Sequence, residues 1–174
     1  MELKQPYLVH PLESFSPRIS ELVVMMSYAR MTTLRAVHNL SQEQLDARPN
    51  EVTNSTGMLL AHMAAVEVGY GVHTFEARDY EWDSPALQLG ERGQRHFSGH
   101  DLAFYTDELA AVRAKTLEEF AKRDDDWLYE QTPFWNNQPA NNYFKWFHVF
   151  EDEINHRGQI RLIKKMLGLG RTSG

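Results

Sequence analysis

The sequence predicts an all-α protein, a four-helix bundle with a long crossover between the second and third helices. Three observations carry this. Four segments repeat apolar residues at the three- and four-residue intervals of a helix. Glycine and proline punctuate the chain between those segments instead of filling it. Period-two alternation, the mark of a half-buried strand, is almost absent. At 174 residues, the length suits a single domain spanning 1–174.

The first helix is expected over about residues 17–39, where Leu22, Met25, Met26, Ala29, Thr33, Leu34 and Val37 share one face. A polar link, "SQEQLDARPNEVTNST", follows. Its Asn54, Ser55 and Thr56 are each able to cap a helix by accepting a free backbone N–H. The second helix then runs to about Val72 with Met58, Leu59, His62, Ala65, Val66 and Gly69 inward. A looser stretch, "HTFEARDYEWDSPALQLGERGQRHFSGH", crosses over with a turn or two of helix. The third helix opens at Asp101 and buries Leu102, Tyr105, Leu109, Val112, Thr116 and Phe120. The fourth begins near Asn141 or Asn142 and continues to about Leu167, with Gly168 as its stop.

Composition narrows the function. Hydrophobic residues make up 42% and charged residues 24%, ordinary for a folded chain. No run approaches the roughly 20 apolar residues of a membrane span. The start, "MELKQPYLVHPLESF", lacks a secretory pattern, so a cytoplasmic location is expected and no membrane partner. A net charge of −6 argues against a nucleic-acid partner, which requires a basic surface. Arg161, Lys164 and Lys165 read as helix-end cations that complement the dipole. Cysteine is absent, so any metal must be held by nitrogen and oxygen.

Polar residues interrupt the stripe of the last helix. With Asp152 at zero on a wheel of about 100° per residue, Val149, Ile160, Ile163 and Leu167 fall between about +20° and +80°. His156 falls at about +40°, so Asp152 and His156 project one turn apart toward the same interior. A buried carboxylate protonates, pairs or binds a metal. An Asp152–His156 ion pair is one local solution. His62, central on the apolar face of the second helix, is a third polar exception. Two histidines and a carboxylate converging from two helices make a site of catalytic form, with positions left for water or substrate. His148, one turn before Asp152, either donates a hydrogen bond to it, the preferred reading, or serves as the ligand in a shifted register, and Gln159, at about −20°, is expected to face inward against a ligand or the backbone. Glu151 and Glu153, at about −100° and +100°, are expected on the flanks as solvated or interfacial charges.

"LLAHMAAVE" around His62, "HVFEDEINHRGQI" ending past His156, and the "LSQEQLDARPN" link together resemble the DinB-like superfamily of four-helix metalloproteins, with the helices in the same order. In that superfamily one histidine from the second helix and two ligands four residues apart on the last helix hold a divalent metal, zinc or nickel. The resemblance implies that His62, Asp152 and His156 do so here. The chain departs from the commoner pattern at Asp152, where histidine is usual and where the mycothiol-dependent branch has glutamate. Relatives include S-transferases that use a low-molecular-weight thiol and an isomerase, and many form dimers. Gly158, within "HRGQI", is read as the place where a neighbouring helix approaches closely.

Two other chemistries are weaker. "DEINH" approaches a zinc-peptidase motif, but its first histidine is replaced by Asp152 and the downstream ligand is missing. A di-iron site needs two Glu-x-x-His motifs, and only "EINH" fits. The aromatics Trp127, Trp135, Trp146, Phe134, Tyr143, Phe144 and Phe147 either wall an apolar pocket above the metal or pack the crossover and a dimer seam. The leading expectation is a homodimeric, metal-dependent enzyme that activates a small thiol or water for transfer or hydrolysis of a small-molecule substrate. The alternative is a non-catalytic, metal-stabilised dimeric bundle serving as a stress-related interaction module.

Overall fold

A computed structural model describes residues 5–49 and 52–169. Residues 1–4 of the N-terminal stretch, together with Asn50 and Glu51 of the polar link, lie outside them. Four long helices form the body: α1 (Pro17–Val37), α3 (Thr56–Phe75), α5 (Leu102–Phe120) and α6 (Asn142–Met166). Two short helices, α2 (Gln42–Asp46) and α4 (Glu91–His96), lie in the links. No helix among the described residues is long and apolar enough to cross a membrane.

The helix starts follow from local chemistry. Proline opens α1, where its missing N–H is no loss. The free N–H groups of that turn are met from far along the chain: Asp125 accepts from the Arg18 amide at 2.9 Å and from the Ser16 hydroxyl at 2.5 Å. Of the three candidates before α3, Ser55 is the cap, accepting from the Met58 amide at 3.3 Å. Asn54 instead accepts from the Gly90 amide at 2.6 Å and ties the crossover to the start of α3. Asp101 and Asn141 cap α5 and α6, each accepting at 2.9 Å from the amide three residues on. At the far end of α6, Gly168 takes φ +72, and the amides of Gly168 and Leu169 donate to the carbonyls of Lys165 and Lys164. That pair of bonds is a Schellman motif.

The polar link holds more order than the sequence reading expected. Ser41 and Gln44 form a reciprocal capping box that starts α2. The chain also contains a small antiparallel hairpin, β1 (Gln131–Pro133) with β2 (Pro139–Asn141), which the sequence reading did not anticipate. Three residues per strand give no alternation to detect, and a proline sits in each strand. Its turn runs through Asn136 and Asn137 with φ of 53 and 58, a left-handed conformation asparagine tolerates.

In the bundle α3 packs against α5 and α6, while α1 packs against α6 and α5. Helices α1 and α3 therefore lie across the bundle from each other, while α3 and α5 pack side by side and parallel, Gly57 beside Tyr105 and Phe75 beside Phe120, so the crossover between them must run back along the bundle. Two apolar clusters fill the interior. One contains Leu22, Met26, Phe120, Trp127, Trp146 and Phe150. The other contains Val37, Leu45, Leu59, Tyr105, Leu109 and Ile160.

Between the clusters lies an ionic waist with one residue from each long helix. Arg30 of α1 donates to Glu153 of α6 from Nε at 3.0 Å and from Nη2 at 3.2 Å. The same Nη2 donates to Glu67 of α3 at 3.0 Å. Arg113 of α5 donates to both oxygens of Glu67, at 2.7 and 3.0 Å. All four side chains are at most 9% exposed. Burial alone would raise the Glu67 pKa, but the two guanidinium charges and their hydrogen bonds outweigh it and bring the carboxyl down to about 2.

Several inward faces shift as a result. In α1 a charged residue, Arg30, is buried, and Leu34, expected inside, is 37% exposed. Glu153, expected as a flank charge, is buried at 2%. The reason is angular. The buried residues of α6 include Lys145, Val149, Glu153, Ile160 and Phe150, which occupy an arc from about +20° to +160° on the wheel centred at Asp152. Helices α1 and α3 both pack on α6, so the middle of its buried arc lies near +90°. Glu153 stands at that middle and Asp152 at the edge.

Candidate metal centre

The edge position of Asp152 brings it to the seam between α6 and α3, where His62 arrives from the opposite helix. One donor atom from each of His62, Asp152 and His156 lies within 4.8 Å of the others. His62 Nε2 is 3.9 Å from Asp152 Oδ2, and His156 Nε2 is 3.3 Å from Asp152 Oδ1. The imidazole rings meet edge to face at 4.8 Å between centroids. Side-chain exposures of 11%, 19% and 8% place the group at the margin of the interior, with the carboxylate the most accessible of the three.

Each imidazole is oriented from behind. His62 Nδ1–H donates to the Ala86 carbonyl at 2.9 Å, which turns the Nε2 lone pair toward the cluster. His156 Nδ1–H donates to Gln159 Oε1 at 3.2 Å, with the same result for its Nε2. Burial lowers the His62 pKa, outweighing the attraction of Asp152, so that ring is held neutral. Burial works in the same direction at His156, but the hydrogen bond and charge of Asp152 overcome it and the net direction is upward. The carboxylate is only half satisfied: its Oδ2 is buried and has no hydrogen-bond partner.

This donor set fits a first-row divalent cation. Nitrogen and carboxylate ligands about 2.0–2.2 Å from an ion stand some 3–4 Å from one another. The distances of 3.3 and 3.9 Å, each to a different oxygen of Asp152, lie in that range, and donor atoms within 4.8 Å of one another would close on an ion by a small side-chain shift. The unpartnered Oδ2 and the two Nε2 atoms, whose rings are bonded from behind through Nδ1, are donor atoms free to hold an ion.

The other residues singled out in the sequence land differently. His148 donates from Nδ1 to Glu151 Oε2 at 2.9 Å, not to Asp152. Its ring lies against Tyr70 at 5.8 Å and Trp135 at 4.9 Å. Gln159 does bond a member of the triad, though it is exposed instead of inward. Gly158 has open space where a Cβ would stand, so no helix among the described residues approaches it closely, contrary to expectation. The aromatics divide: Trp146 and Trp127 are core, while Trp135, Phe144 and Phe147 are 61%, 46% and 44% exposed. Phe134 and Trp135, on the hairpin, stack on one another beside Tyr70 and His148.

Two contributors escaped the sequence reading. Ala86 acts through its backbone carbonyl in the crossover, and no side-chain pattern marks such a role. Tyr70, buried at 3%, has its phenol pKa raised, first by burial and then by the charges of Asp152 and Glu151. It lies eight residues after His62 on an apolar helix, where a tyrosine reads as ordinary core.

A four-helix bundle in which α3 and α6 run antiparallel, with a histidine–aspartate–histidine cluster at their seam, defines a DinB-like protein. The chain belongs to the mycothiol-S-transferase family, whose model matches residues 21–167. Among solved structures it is similar to a conserved protein from Enterococcus faecalis, with a TM-score of 0.67 and 13% identity over 86% of this chain and 96% of that one. At that identity the likeness speaks for the fold alone. No curated protein matches the sequence.

Proposed function

We propose that the protein is a metal-dependent thiol S-transferase, in which His62, Asp152 and His156 hold a divalent cation, zinc or nickel. The observation that carries this is the convergence of two oriented imidazoles on a carboxylate whose Oδ2 is buried and unpartnered. Family membership supplies the thiol class of the substrate. A cation bound there would act as a Lewis acid, lowering the pKa of a small thiol, or of water in a hydrolytic variant of the reaction.

The chain's own residues do the rest. Ala86 and Gln159 fix the two imidazole tautomers. Tyr70, its pKa raised by burial and by the charges of Asp152 and Glu151, keeps its proton and remains a donor. Phe134 and Trp135 set aromatic rings beside Tyr70 and His148, an apolar wall for a substrate. In this reading the protein works as a cytoplasmic homodimer on a small-molecule substrate, with neither nucleic acid nor membrane as partner.

Elemental analysis of protein purified without added metal tests the centre. Close to one zinc or nickel per chain is expected, with little in the His62→Ala and Asp152→Ala variants. Metal content unchanged by both substitutions would refute the site. Transfer of a small thiol to an electrophile by the loaded protein, absent in those variants, tests the reaction. A loaded protein inert toward every thiol, with an ion closed by four protein ligands, would instead be a structural bundle.

A further inference from the structure

Gly158 sits in the interior of α6, where glycine weakens a helix, yet nothing among the described residues packs against it. The outward face around it sets exposed apolar side chains among charged ones. Phe147, Ile154 and Leu162 are 44%, 39% and 51% exposed. Together with Gly158, Glu151 and Lys165 they fall within about 80° of arc on the wheel. A run of this kind, about five turns long and set outside an already packed helix, is an interaction surface in search of a partner.

Its pattern identifies the partner. When two antiparallel helices cross at one residue, positions equally far before and after the crossing face each other. Ile154 and Leu162 stand four before and four after Gly158, and Glu151 and Lys165 stand seven before and seven after. A two-fold-related copy would therefore set Ile154 on the partner's Leu162 and Glu151 beside the partner's Lys165. A parallel pairing would set like charges together. The glycine at the crossing lets the backbones approach closely, since interaxial distance depends on the side chains at the contact.

We propose that this face of α6 is a homodimer seam, in which a second copy of the chain crosses antiparallel at Gly158. This gives a surface to the pairing contained in the functional reading above. Its test reads association, not chemistry, so either can fail while the other stands.

The chain has no cysteine, so Gly158→Cys puts the only thiols at the proposed axis. Wild-type protein is expected to sediment as a dimer at tens of micromolar. A short bismaleimide should then join the Gly158→Cys chains, but not chains carrying Ala114→Cys on the exposed face of α5. Glu151→Lys should weaken association about tenfold through its two lost pairs. Adding Lys165→Glu to the same chain should restore it, because the swapped charges still meet. A wild type that is monomeric at 200 µM (about ten times the level at which dimers are expected), a dimer cross-linked at 114 but not at 158, or a charge swap that fails to rescue would each overturn the seam.

Discussion

Truncating Glu153 to alanine tests the ionic waist. Arg30 makes two bonds to this carboxylate, at 3.0 and 3.2 Å, and Arg113 stands 3.6 Å from it. Two arginines and two glutamates leave the waist neutral, so the truncation leaves one uncompensated positive charge among groups at most 9% exposed. Removing one partner of a buried pair costs about 3–5 kcal/mol. At about 2–4 °C per kcal/mol for a chain of this size, that is a fall in melting temperature of about 6–20 °C. The compensating double variant, Arg30→Met with Glu153→Leu, keeps the bidentate Glu67–Arg113 pair at 2.7 and 3.0 Å and fills the vacated volume with apolar atoms. It is expected within about 2 kcal/mol of wild type, because apolar replacement of a whole buried pair is close to neutral. Urea unfolding of the wild type, both single variants and the double variant, at constant m, gives the coupling directly. A Glu153→Ala loss below about 1 kcal/mol, or a double variant as unstable as the sum of its singles, would refute the reasoning.

Acid unfolding should report the same waist. Glu67 is held at about 2 against an ordinary 4.5. A carboxyl depressed on folding contributes stability that is fully present above the unfolded value and is lost as pH falls through the folded one. The loss should fall between about pH 4.5 and pH 2 and amount to something on the order of 3 kcal/mol. A Glu67→Gln variant whose stability changes with pH in that window as the wild type's does would remove this carboxyl as the source. Gln159→Ala should weaken divalent-cation affinity about 10- to 100-fold by freeing the His156 ring. Chelator competition measures this, and an unchanged affinity would show that the ring needs no anchor.

The four long helices were legible because their apolar intervals persist over five or more turns. Their starts were legible wherever a Ser, Asp or Asn supplied a cap. The triad was legible for a different reason: His62, Asp152 and His156 are polar residues set among apolar ones, and two of them are one turn apart. What a wheel does not contain is the width of the buried arc, which depends on how many neighbours a helix has. That is why Glu153 reads from the sequence as a solvated or interfacial flank charge and Gln159 as an inward group. The partners in the waist come from helices far apart in sequence. Glu67 lies on a helix buried almost all round, where a wheel offers no polar side to contrast with it. The hairpin and the Ala86 carbonyl left no side-chain periodicity to read.

Asp152 and Glu153 are consecutive, and the 100° between them separates two jobs that one carboxylate would not do together. Glu153, at the middle of the buried arc, is closed in by Arg30 and thereby fixes the rotation of α6 about its own axis. With that rotation fixed, the preceding residue falls at the seam with α3, 19% exposed and opposite His62. Full burial would give a ligand group a low dielectric but no route for a substrate. Full exposure would give access with screening by water. The edge of the arc supplies partial burial and access at once. The position of the candidate centre is therefore set as much by the salt bridge one residue away as by the three groups that form it.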